Sequence, residues 1–140
     1  MKKLYIEKSI EINAPISKVW DALINPAIIK QYLFGTEAVS DWKEGSSLEF
    51  KGVWEGKEYL DKGIILKLEP NKNFRYSYLS SFSGLEDIDE NYAVVDFQLS
   101  PVDGKTRLTL TQDNIETEEA RKHSDENWGY VLNTMKNILE

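Results

Sequence analysis

The sequence has 140 residues, 41% hydrophobic and 29% charged, with a formal net charge of -7 and a pI of about 4.8. A single domain over residues 1–140 is expected at this length, and a chain of this size buries roughly 68–70% of its unfolded surface, so it needs no metal or disulfide staple. The absence of cysteine excludes a disulfide framework, a thiol nucleophile and thiolate metal sites, while the acidic balance with dispersed lysines speaks against nucleic acid and anionic membranes as partners.

Residues 1–30 carry no signal-peptide core, and no apolar run reaches the roughly 18 residues of a spanning helix, so the expected location is the cytoplasm. Residues 4–12 alternate as a strand, with Ile6, Ile10 and Ile12 on one face and Glu7, Ser9 and Glu11 on the other. Ala14-Pro15 ends it, and proline suits the first position of a helix because its missing N–H costs nothing there. Ile16, Val19, Trp20 and Leu23 then form one apolar helical stripe. Asn25-Pro26 repeats the start signal, and a second short helix places Ile28 over Tyr32 and Ile29 over Leu33.

Hairpins follow as far as about residue 112. Turn signals lie at Lys43-Glu44-Gly45, Glu55-Gly56, Pro70-Asn71 and Asp103-Gly104, and strands are expected over 47–54, 58–68, 73–80, 92–101 and 105–112. Asp103-Gly104 is a strong two-residue hairpin signal. Closing there pairs Val102 with Lys105, Leu99 with Leu108, Phe97 with Leu110 and Val95 with Gln112, an apolar face carrying one amide. Gln98 with Thr109 and Asp96 with Thr111 then share the polar face. The Glu55-Gly56 turn leaves two registers open. A two-residue loop sets Asp61 opposite Phe50, and a three-residue loop sets Lys62 there. Gly52 and Gly63 fall inside strands, where glycine marks a bend. The C-terminal segment is an amphipathic helix with Trp128, Leu132, Met135 and Leu139 on one stripe and Val131 and Ile138 beside it. Thr117 or Ser124-Asp125 caps its start, and Gly129 inside it costs about 1 kcal/mol against alanine.

Motifs that would carry catalysis or metal chemistry are weak. His123 is the only histidine, so zinc is not expected, and a solvated place near the start of the last helix suits it better than a triad. Asp87-Ile88-Asp89-Glu90-Asn91 imitates the first half of a calcium loop but has Tyr92 at the glycine position and Gln98 at the twelfth. The 80–90 connection, with Phe82, Leu85 and Ile88, is long for a hairpin and reads as a surface loop, with a lid as the alternative. No catalytic residue, metal or cofactor is assigned.

The order of strand, two short helices, antiparallel strands and a long amphipathic helix resembles the helix-grip fold of the START-like, or SRPBCC, superfamily. That superfamily includes the birch-pollen-allergen-like proteins and polyketide cyclases. Within it, Ile12-Asn13-Ala14-Pro15 with Val19-Trp20, Trp42-Lys43-Glu44-Gly45, Glu90-Asn91-Tyr92, Gly104 through Leu110, and Trp128-Gly129-Tyr130 through Met135-Lys136 are similar to one branch. It is the branch named for the activator of the heat-shock-chaperone ATPase. The likeness spans nearly the whole chain. Members that act as chaperone activators carry an additional N-terminal domain, which these residues do not contain.

The resemblance implies an α+β helix-grip fold: a curved antiparallel sheet of about six to seven strands, two short helices and one long C-terminal helix. It also implies a cavity between sheet and C-terminal helix. Phe50, Trp54, Tyr76, Tyr78, Phe97 and Trp128 fall on inward faces, and either fill a core or line such a cavity. The expected walls are Phe50, Trp54, Leu66, Tyr76, Tyr78, Val95, Phe97, Leu110, Gln112, Trp128, Leu132 and Met135. The expected role is non-catalytic binding of a small hydrophobic or amphipathic ligand. The alternatives are a co-chaperone-like protein partner, or a cyclase- or hydrolase-type enzyme using the tyrosines and Asp61.

Overall fold

The computed structural model describes residues 4–80 and 84–140, apart from the side chain of Trp54. Strand β1 (Leu4–Ile12) leads into helices α1 (Ile16–Ile24) and α2 (Pro26–Tyr32). Six strands follow: β2 (Glu37–Ser40), β3 (Ser47–Trp54), β4 (Lys57–Glu69), β5 (Asn73–Tyr78), β6 (Ala93–Val102) and β7 (Lys105–Ile115). A 3-10 turn, Asp89–Asn91, precedes β6, and α3 (Glu118–Leu139) closes the chain. The strands form one antiparallel sheet in the order β1-β7-β6-β5-β4-β3-β2. This is the helix-grip α+β architecture, with the apolar stripe of α3 against the concave face.

Turn chemistry sets the registers. Asp103 and Gly104 have φ of 49° and 80°, the positive pair that a two-residue type I′ hairpin requires. The pairing outward matches the expectation, from Val102↔Lys105 to Val95↔Gln112. Glu55 and Gly56 repeat this geometry, with φ of 49° and 81°. Trp54 therefore pairs with Lys57, and Asp61 rather than Lys62 stands opposite Phe50.

Strand β4 departs from simple alternation against β5. Ile65 pairs with Tyr76 but Lys67 pairs with Arg75, so two steps along β4 match one along β5. This is a β-bulge with one surplus residue. It corrects the expectation for Leu66, which faces outward and is 46% exposed, while Ile65 is fully buried and Leu68 packs against the core opposite Phe74. The run Ile64-Ile65-Leu66 is apolar at every position, so its pattern could not reveal the slip.

The helices are tied in by identifiable contacts. The Asn25 side chain accepts the Ala27 N–H at 3.0 Å, and Pro26 opens α2. The Tyr32 hydroxyl donates to the Ala22 carbonyl at 2.8 Å, fixing α2 on α1. Thr117, not Ser124-Asp125, caps α3 by accepting the Ala120 N–H at 3.0 Å. Val131, Leu132, Met135 and Leu139 are the buried residues of α3. Strand β2 escaped the sequence reading because it is four residues long and buries only Ala38, too short to display a period.

Candidate functional site

The concave face supplies the site. On β5, Phe74 and Tyr76 are buried and Tyr78 is half-buried, all packed on the core. Phe50 reaches them from β3, with ring centroids 5.7 Å from Tyr76 and 6.0 Å from Tyr78. Phe97 on β6 stacks on Phe74 at 6.1 Å, and the half-buried indole of Trp128 on α3 meets it edge-on at 5.9 Å. The Trp128 Nε1–H donates to the Gln112 Oε1 at 2.7 Å. That bond satisfies the one amide on the apolar face.

These rings leave a void of about 10 Å³ bordered by Leu23, Ile29, Tyr32, Leu33, Trp42, Phe50, Phe74, Tyr76, Phe97 and Trp128. A space of that size holds about one water molecule. Four of the residues expected at the cavity border it, namely Phe50, Tyr76, Phe97 and Trp128. Val95, Leu110, Leu132 and Met135 are buried in the surrounding core, and Gln112 holds Trp128 from β7. Tyr78 stands beside the void without bordering it, Leu66 lies on the opposite face, and the Trp54 side chain lies outside the described residues. The sequence reading missed the α1–α2 side of the void. Ile29 and Tyr32 belong to a short helix, and Leu33 caps its end, in a stripe that reads as packing. Trp42 reaches the site from a turn with φ of 57°, a backbone state that a tryptophan codon does not announce.

Two polar features stand out around the void, the first of them behind its wall. Asp61, 7% exposed, accepts the Tyr78 hydroxyl at 2.5 Å. Burial pushes the Tyr78 phenol well above its usual range, and the charge of Asp61 and this hydrogen bond push it further. Burial, then the Asp61 charge, likewise raises the Tyr76 phenol. Such phenols are hydrogen-bond donors near neutral pH and poor proton shuttles. The second feature is the Tyr76 hydroxyl. Among the described residues it makes no hydrogen bond, although Tyr76 is only 3% exposed. Every described side-chain nitrogen or oxygen that is shut off from solvent has a partner, so this hydroxyl keeps some contact with solvent, and its residue borders the void.

Asp87 accepts the Tyr92 hydroxyl at 2.6 Å and pairs with Lys62, which engages the calcium-like segment within the fold. Phe82 lies outside the described residues, and Leu85 and Ile88 are exposed. His123 is exposed on α3.

Solved structures share this architecture. The ChR145 protein of Cytophaga hutchinsonii is 48% identical, with 99% of this chain and 95% of that one covered and a TM-score of 0.87. The Aha1 dimer from Colwellia psychrerythraea is 24% identical over 98% and 96% of the two chains, with a TM-score of 0.77. Ara h 8.0201 is 10% identical over 98% and 97%, with a TM-score of 0.79, a likeness of fold alone. No curated protein matches the chain significantly. With residues 13–140 matching the family described as activator of Hsp90 ATPase homolog 1-like protein, the chain belongs to that family within the START-like helix-grip superfamily.

Proposed function

We propose that the protein binds a small hydrophobic or amphipathic ligand, without catalysis, between the concave sheet and the α2–α3 side of the fold, in the cytoplasm. The observation that carries this reading is the Tyr76 hydroxyl. Buried polar groups normally find partners, and one left unengaged beside an aromatic-walled void is where a ligand's polar atom would dock. The void is small, so binding requires rings to move. Trp42 and Trp128 are half-buried and tilt against their neighbours, and moving Trp128 gives up its bond to Gln112, about 1 kcal/mol.

A neutral solvatochromic dye titrated into the protein tests this. Saturable one-to-one binding is expected, with tighter binding by Trp128→Ala, which widens the space. No saturable binding by either protein refutes the reading. Native mass spectrometry of protein from its own source identifies what co-purifies.

A second reading, a protein-interaction module for a chaperone, draws on the family description and on the outer face of β2–β4. Val39, Val53, Leu60, Ile64 and Leu66 are 40–62% exposed there. Glu49, Lys51 and Lys62 interrupt them in the register, so they form scattered contacts more than one patch. Stimulation of a chaperone ATPase by this chain would favour that reading.

A further inference from the structure

Seven of the ten residues bordering the void are aromatic and three are aliphatic. A site for a plain hydrocarbon is served equally well by leucine, isoleucine and valine. Rings add a negative π face, which attracts a cation within about 6 Å of the centroid, tryptophan most strongly. Neighbouring rings here are tilted by 49° for Trp42 and Phe74, 50° for Phe50 and Tyr76, and 77° for Phe97 and Trp128.

We propose that the ligand is an amphipathic organic cation, with its ammonium group held among these rings within the field of the Asp61 carboxylate and its apolar part against the α2–α3 side. The inference rests on the ligand-binding reading above and adds the charge of the ligand to it. Asp61 stands opposite Phe50, a wall residue, and bonds Tyr78, whose ring meets both Phe50 and Tyr76. Its charge is felt at Tyr76, a wall residue too. No basic side chain borders the void. The cations nearest along β4 and β5 are engaged elsewhere, Lys62 by Asp87 and Arg75 by Asp96. An anionic head would meet this field as a repulsion, and a neutral one would gain nothing from it. The net charge of -7 also concentrates cations around the molecule.

Three probes of similar shape separate the terms: phenyltrimethylammonium, its carbon isostere tert-butylbenzene, and benzenesulfonate. Each competes against the bound dye at about 0.5 M salt, where attraction to the general surface charge is screened to a few ångströms. The expected order is cation over neutral isostere by about tenfold or more, with the anion weakest. In Asp61→Asn, which keeps the side-chain shape, the ratio of neutral to cation Kd should fall several-fold, leaving only the preference that the rings supply. Circular dichroism and the urea transition establish that this variant is folded. Equal or tighter binding of tert-butylbenzene by the wild type overturns the proposal while leaving the binding reading in place. A cation preference that is undiminished in Asp61→Asn overturns the role of the carboxylate. Failure of all three probes and of the dye removes both.

Discussion

Gly63 provides the sharpest test of how the sheet closes around the site. A Cβ built there would lie 1.6 Å from the Ser77 carbonyl oxygen and 2.5 Å from its carbon. Both are backbone atoms of the neighbouring strand, so no rotamer relieves the clash. A tolerable contact needs about 3.2 Å, and the strands must separate by well over an ångström. That separation breaks the Lys62–Leu79 bridge, whose two backbone hydrogen bonds are 3.2 and 2.8 Å long, and the Ile64 N–H to Ser77 Oγ bond of 2.9 Å. Overpacking strain of about 1–3 kcal/mol and about 1 kcal/mol for each lost bond give a cost of at least about 3 kcal/mol for Gly63→Ala. Gly52 is the internal control. The atoms met by a Cβ there are the Tyr59 hydroxyl at 2.3 Å and two ring carbons at 2.5 and 2.8 Å, all at the far end of one side chain and none of them backbone. Gly52→Ala therefore costs about 1 kcal/mol, mostly the 2.5 Å bond between Tyr59 and Thr36. Urea unfolding followed by tryptophan fluorescence measures both. Equal transitions for the two variants, or Gly63→Ala within about 1 kcal/mol of wild type, would refute the close-approach account.

The remaining predictions concern α3 and the buried phenols. A Cβ at Gly129 would meet only the end of the Lys8 side chain, Cε at 3.5 Å and Nζ at 3.6 Å, ordinary contacts, so Gly129→Ala should raise stability by about 0.5–1 kcal/mol in thermal unfolding; a loss would show that the glycine serves packing. Thr117→Ala removes the cap on α3 and should cost about 1 kcal/mol, with no change expected from Ser124→Ala. Burial raises the phenols of Tyr32, Tyr76 and Tyr78 above their unfolded value near 10. Their stabilisation is complete below pH 10 and is lost as pH rises beyond it, because the unfolded chain then binds fewer protons than the folded one. The slope approaches about 1.4 kcal/mol per pH unit for each tyrosine. Tyrosinate absorbance should accordingly show three of the seven tyrosines ionising only with unfolding, and smooth ionisation of all seven in the folded protein would contradict this.

The sequence by itself determined the parts governed by local chemistry. Asp103-Gly104 imposes the I′ turn, and with it every pair from Val102↔Lys105 to Val95↔Gln112, because a two-residue period admits no partial slip. Asn25-Pro26 and the stripe from Val131 to Leu139 did the same for α2 and α3. Tertiary structure decided what depends on neighbours remote in the chain. The outward turn of Leu66 follows from a bulge against β5 inside an unbroken apolar run. The burial of Asp61 follows from its phenol partner on another strand. The void takes its size from how seven rings on six segments tilt against one another, and its α1–α2 wall from Tyr32 anchoring on Ala22. Periodicity reports which side of an element a residue occupies. How closely the opposing sides meet is set only when all of them pack at once, and that distance separates a filled core from a binding site.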